Sequence, residues 1–110
     1  NSITRFYNYF TQDKSTTSTP DAITPFRILE KPQARYTDRA RVNNVTGNVR
    51  LLVLLAASGR VEGTLLVRRL GFGLDQEAIE AAKKIKFEPK RKGGMPVDSV
   101  ITIDYAFSTY

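Results

Sequence analysis

The most apolar stretch of the chain runs from Val49 to Ala57, unbroken from Leu51 onward. Val49, Leu51, Val53 and Leu55 share one face of an extended chain, while Arg50, Leu52 and Leu54 share the other. Both faces are largely apolar, which predicts a central strand covered on both sides. Ser58-Gly59-Arg60 interrupts the pattern as a tight hairpin turn, with Gly59 supplying a positive φ. The return strand is expected from Val61 to about Leu70, with Val61, Leu65 and Val67 on one face and Glu62, Thr64 and Arg68 on the other. Gly63 marks a bulge in it. Leu52, Leu54 and Leu66 make the sheet's second face apolar, and the aromatic residues of positions 6–10 or a second copy of the domain are candidates to cover it.

Beyond Gly71-Phe72-Gly73 the period changes from two to 3.6. Leu74, Ala78, Ala81, Ala82 and Ile85 fall on one stripe of a helix predicted from about Asp75 to Ile85. Asp75 and Glu77 at its start and Lys83, Lys84 and Lys86 at its end match the helix dipole. Lys90 to Pro96 reads as a basic, Gly-containing turn. The last strand is predicted from Val97 to about Ser108, with Ile101, Ile103, Tyr105 and Phe107 alternating against Val100, Thr102, Asp104 and Ala106. Upstream, Thr37 caps a short helix running to about Val42, with Asp38 in its first turn.

The order helix-strand-strand-helix-strand predicts an α+β domain over residues 34–110, a three-stranded antiparallel sheet with two helices packed on one face. Residues 1–33 read as an N-terminal arm, partly extended. Its aromatics Phe6, Tyr7, Tyr9 and Phe10 lack a clean period, and Thr11 to Pro20 is a polar linker-like run. Pro25 and Pro32 bracket a short extended segment, Phe26 to Glu30.

Composition narrows the function more by what it lacks. The 110 residues suit one domain and contain neither Cys nor His. That removes thiolate nucleophiles, zinc–thiolate sites, disulfides and the commonest general base. No apolar run approaches the roughly 18 residues of a membrane span. A start at Asn1 without a signal-peptide pattern is expected of a processed or excised piece. The net charge of +6 is dispersed over 17 Lys and Arg, with one dense run at Lys90-Arg91-Lys92. Dispersed charge is first a solvated surface; its functional counterpart is an anionic polymer or lipid partner.

Candidate catalytic patterns fail on inspection. Gly71-Phe72-Gly73 lacks the third Gly of a dinucleotide turn and the Lys-Ser/Thr of a phosphate loop, and reads as a strand-to-helix turn. Asp75, Glu77 and Glu80 sit where a helix N-terminus explains acidic residues, and no other carboxylates join them. Ser58 has no His partner. Tyr105 and Phe107 share parity with Ile101 and Ile103, which argues for core and against stacking on nucleic acid. No catalysis, metal or cofactor is expected.

A series of short motifs nevertheless has a familiar order. Tyr36-Thr37-Asp38-Arg39-Ala40-Arg41 is followed by Val45-Thr46-Gly47-Asn48-Val49, Ser58-Gly59-Arg60-Val61 and Gly73-Leu74-Asp75 with Ala78 and Ala81-Ala82. Phe87-Glu88-Pro89, Gly94-Met95-Pro96-Val97 and Tyr105-Ala106-Phe107 complete it. From about residue 33 to 110 the chain resembles the C-terminal domain of the TonB energy-transducer family.

The resemblance implies a periplasmic domain joined to an inner-membrane helix by an upstream segment outside this sequence. Its partners would be the TonB box of an outer-membrane TonB-dependent transporter and, through the upstream segment, an ExbB–ExbD motor. A second copy of the domain is a further candidate partner, and nucleic acid is not expected. In the family the box pairs with the last strand, which maps here onto Val100, Ile101, Thr102, Ile103, Asp104, Tyr105, Ala106 and Phe107. Tyr36, Arg39 and Arg41 are secondary contact candidates, although family members often carry Tyr-Pro where this chain has Tyr36-Thr37. The resemblance also leaves a competing role, a TonB-like docking domain of an envelope signalling or assembly protein that transmits no force, and the +6 charge leaves another, a nucleic-acid or anionic-polymer binder.

Overall fold

The computed structural model describes residues 2–11 and 22–108. In chain order these form α1 (Ser2–Thr11), β1 (Ile23–Thr24), β2 (Arg27–Glu30), α2 (Asp38–Val42), β3 (Gly47–Leu55), β4 (Val61–Arg68), α3 (Leu74–Lys83), β5 (Lys86–Glu88), β6 (Lys90–Lys92), β7 (Met95–Val97) and β8 (Ser99–Phe107). The main sheet has the order β4-β3-β8, antiparallel throughout, with Val49 opposite Tyr105 and Leu51 opposite Ile103. This is the predicted sheet, with the doubly apolar strand at its centre.

The core lies on one face of that sheet. Val49, Leu51, Val53 and Leu55 of β3 meet Ile103, Tyr105 and Phe107 of β8, and Ala40 of α2 joins Leu74, Ala78, Ala81, Ala82 and Ile85 around α3. All five residues of the predicted helical stripe are buried. Three of them are alanines, whose short side chains let the α3 backbone approach the sheet closely. Full burial of Leu51, Leu55 or Leu74 contributes about 1.5–3 kcal/mol each.

Local chemistry fixes where these elements begin. Thr37 is the N-cap of α2: its backbone is extended and its hydroxyl accepts from Ala40 N–H at 3.1 Å. Gly71, Phe72 and Gly73 all take positive φ, forming the turn expected from the sequence. Asp75 reaches back into that turn, accepting from Leu70 N–H at 2.8 Å and Gly71 N–H at 3.0 Å. Its carboxylate is therefore consumed by two backbone donors left unpaired at the end of β4.

Several boundaries differ from the periodicity. The bulge near Gly63 is present as a register shift between the Leu54–Gly63 and Leu55–Val61 pairs. It and a second shift between Arg50 and Leu51 redirect β4, so that Val61 and Leu66 pack on the core while Leu65 lies opposite Leu52. Leu66 is thus a core residue, and the second face holds Leu52, Leu54 and Leu65. A simple alternation does not carry through a bulge. Lys90 to Pro96, read as a turn, forms the β6–β7 hairpin, and Lys86–Glu88 is a strand after α3.

Upstream, β1 pairs with β6, and β2 pairs with β5. The extended segment between Pro25 and Pro32 is accordingly a strand of a second, two-stranded sheet. Residues 2–11 are helical where no period was legible, and α1 lies against β4 with Phe6 buried. Arg5 of α1 forms an ion pair with Glu62. The polar run Thr11 to Pro20 lies outside the described residues apart from the backbone of Thr11 at the end of α1.

Candidate functional site

β8 is a border strand of the main sheet, and among the described residues no other strand pairs with its outer side. In an antiparallel pair, alternate residues send both backbone polar groups toward the neighbour, and the residues between send them away. Lys31 Nζ donates to the carbonyl oxygen of Asp104 at 3.1 Å from outside the sheet. That contact sets the phase: Val100, Thr102, Asp104 and Ala106 direct N–H and C=O groups outward. Ile101, Ile103 and Tyr105 spend theirs on β3.

The side chains follow the opposite logic. Ile101, Ile103, Tyr105 and Phe107 point into or toward the core, and Tyr105 and Phe107 are buried. Asp104 lies opposite Arg50 in a pair whose side chains are close together. Arg50 Nε donates to Asp104 Oδ1 at 2.8 Å and Arg50 Nη2 to Oδ2 at 3.1 Å, a two-pronged guanidinium–carboxylate contact. The Arg50 hydrogen bond, with the attraction of Arg50, Arg68 and Lys31 behind it, holds the Asp104 carboxyl below its usual range against a smaller opposing effect of burial. This pair sits on the second face and ties β8 to β3 without using any outward backbone group.

The C-terminal half of the edge is one wall of a groove. Lys31, Pro32, Gln33 and Ala34 face Asp104, Tyr105 and Ala106 across a space of about 430 Å³. The Lys31 ammonium lies 4.7 Å from the centre of the Tyr105 ring. Burial pushes the Tyr105 phenol above its ordinary value, and its hydroxyl has no hydrogen-bond partner among the described residues.

The secondary candidates divide. Tyr36 stacks on Phe107 with ring centres 6.2 Å apart, and its hydroxyl donates to Val45 O at 2.6 Å. The Arg41 guanidinium stands 5.7 Å from the Tyr36 ring and 3.5 Å from Asp38. Tyr36 and Arg41 therefore gather at the Phe107 end of β8. Arg39 turns instead to the Phe72 ring, 5.9 Å away, in the turn before α3. Lys31 and Arg50 were not singled out from the sequence. Arg50 carried a usable signal, as the one charge inside an apolar strand with Asp104 at matching parity in the last strand. Lys31 carried none, because its place depends on how the chain turns after β2.

Chemically, the arrangement offers a backbone edge and a partly lined groove. No cluster of carboxylates able to hold a metal occurs among the described residues, and none of the described helices is long and apolar enough to cross a membrane.

Comparison with known proteins follows the same outline. Residues 32–109 match the family model described as Gram-negative bacterial TonB protein C-terminal. The fold is similar to the solution structure of the Pseudomonas aeruginosa TonB C-terminal domain, with a TM-score of 0.63, 23% identity, and 77% of this chain and 87% of that one covered. It is also similar to the Helicobacter pylori TonB C-terminal domain, with a TM-score of 0.50, 21% identity, and coverage of 70% and 82%. No curated protein sequence matches significantly. The match begins at Pro32, so α1, β1 and β2 precede the segment the family model describes.

Proposed function

Because the chain belongs to the TonB C-terminal domain family, periplasmic domains that act by protein interaction and not by catalysis, we propose that it binds the TonB box of an outer-membrane TonB-dependent transporter by strand addition to β8. The observation that carries this reading is the outer side of β8, which pairs with no strand among the described residues and toward which the backbone groups of Val100, Thr102, Asp104 and Ala106 are directed. An extended peptide supplies the complementary row of donors and acceptors.

The energetics favour a modest, breakable link. Each ladder hydrogen bond contributes about 0.5–1.5 kcal/mol net, and ordering each peptide residue costs about 1–2 kcal/mol. The two nearly cancel, so side chains of the partner must add affinity. The groove beside Tyr105 and Ala106 offers them a place. A ladder loaded along its length breaks several bonds together, which suits transmission of a pull from an ExbB–ExbD motor through an upstream segment anchored in the inner membrane.

Proline substitution separates this reading from a general surface contact. Thr102→Pro removes an outward N–H that the sheet does not use, so the domain is expected to stay folded and to lose binding of transporter-box peptides. Ile103→Pro removes a bond to β3 and is expected to disrupt the sheet itself. Peptide binding by a folded Thr102→Pro variant at wild-type affinity would remove strand addition at this edge. Energy transmission is tested by pulling on the complex: a rupture force no higher than that of one isolated contact would contradict a cooperative ladder.

A further inference from the structure

The ribbon β1-β6-β7 contributes no side chain to the core, and its surface is of a different kind from the β8 edge. Antiparallel partners share a face, so Ile23, Lys92 and Met95 form one row across the three strands, and Lys90 and Val97 continue that face. Ile23 is 60% exposed and Met95 is 68% exposed. Arg91 lies on the other face, where it donates to Gly94 O at 3.3 Å. The turn is Gly93-Gly94, both with positive φ, and it presents no side chain at the tip.

The charge of this ribbon is not neutralised within it. Residues 90–97 contain no Asp or Glu. Lys90, Arg91 and Lys92 make no ion pair among the described residues, while the nearby carboxylates of Glu30 and Glu88 are taken by Lys86 and Arg27. A purely anionic polymer would need only the charge. Two exposed aliphatic side chains in the same row as a lysine fit a surface that is anionic outside and apolar beneath.

We propose that the β1-β6-β7 ribbon is a docking surface for an anionic phospholipid bilayer. Ile23 and Met95 enter the interfacial zone, and the half-buried stems of Lys90 and Lys92 lie along the ribbon while their ammonium groups reach the phosphates. Arg91, on the opposite face and donating to Gly94 O, takes no part in the docking. Each basic residue near such a surface raises partition about fivefold. The site is separate from β8 and does not depend on strand addition.

The test is co-sedimentation of the 110-residue chain with vesicles of phosphatidylglycerol or of phosphatidylcholine, at low and high salt. Binding is expected to phosphatidylglycerol only, to fall with salt, and to weaken about 25-fold in K90Q/K92Q. I23S/M95S is expected to weaken it several-fold at every salt concentration, with the β3–β8 amide spectrum unchanged in both variants. Failure of the wild-type chain to bind phosphatidylglycerol would overturn the proposal. So would competition by soluble polyglutamate together with no effect of I23S/M95S, which would assign the ribbon to an acidic protein surface instead.

Discussion

At the residue scale, a few side chains join the core to the proposed edge. Tyr36 stacks on Phe107 and donates to Val45 O, so Tyr36→Phe keeps the stacking and is expected to cost about 1 kcal/mol in denaturant unfolding through the lost hydrogen bond. Leu51 is fully buried at the centre of β3, and Leu51→Ala is expected to cost about 2–5 kcal/mol in the same assay. Asp104 has a direct signature in pH. Its hydrogen bond with Arg50 depresses the folded-state pKa, so the stability it adds is present above the unfolded-state value, about 3.9, and is lost as pH falls through the lower folded-state value. Asp104→Asn is therefore expected to flatten the acid limb of the stability–pH curve below about pH 4, measured by urea unfolding from pH 2 to 7. Glu62, depressed first by its hydrogen bond from Ser58, adds to the same limb and remains in that variant.

At the element scale, the behaviour of β8 follows from having one satisfied side and one open side. The contrast between Thr102→Pro and Ile103→Pro belongs here, because a shift of one residue exchanges outward for inward backbone groups. Lys31 occupies one acceptor of the open side at Asp104 O, and a pairing strand must displace it. Lys31→Ala is accordingly expected to leave the fold intact and to alter peptide affinity, measured by calorimetry. The strands β3 and β8, the capped helix α2 and the Ala-rich α3 were legible because each has an apolar run, a period or a chemical start signal. The course of β4 was only half legible: Gly63 announced a bulge, but which residue returned to the core depended on its register with β3. The β6–β7 hairpin hid inside a basic run because its sequence, KRKGGMP, has no apolar alternation and is ordered by pairing with β1. The direction of the outward groups on β8 could not be read at all, since period two assigns side chains to faces and not backbone groups to edges.

At the scale of the whole molecule, the described residues before Pro32 join the domain by pairing and packing, with α1 on β4, β1 on β6, β2 on β5, Phe26 on the core and Lys31 on β8. α1 has 10 residues, too few for a stable isolated helix, and Phe6 is its buried anchor. Phe6→Ala is expected to abolish amide protection in residues 3–10 by hydrogen exchange, while β3 and β8 retain theirs. Loss of protection throughout would instead make α1 part of one cooperative unit with the sheet. The central claim, that a partner adds as a strand to β8, is tested most directly by amide hydrogen exchange of this chain with and without a transporter-box peptide. Strand addition predicts new protection at Val100, Thr102, Asp104 and Ala106, with Ile101, Ile103 and Tyr105 already protected by β3 and little changed. Saturating peptide that binds without that alternating gain, or that protects the β4 border instead, would contradict it.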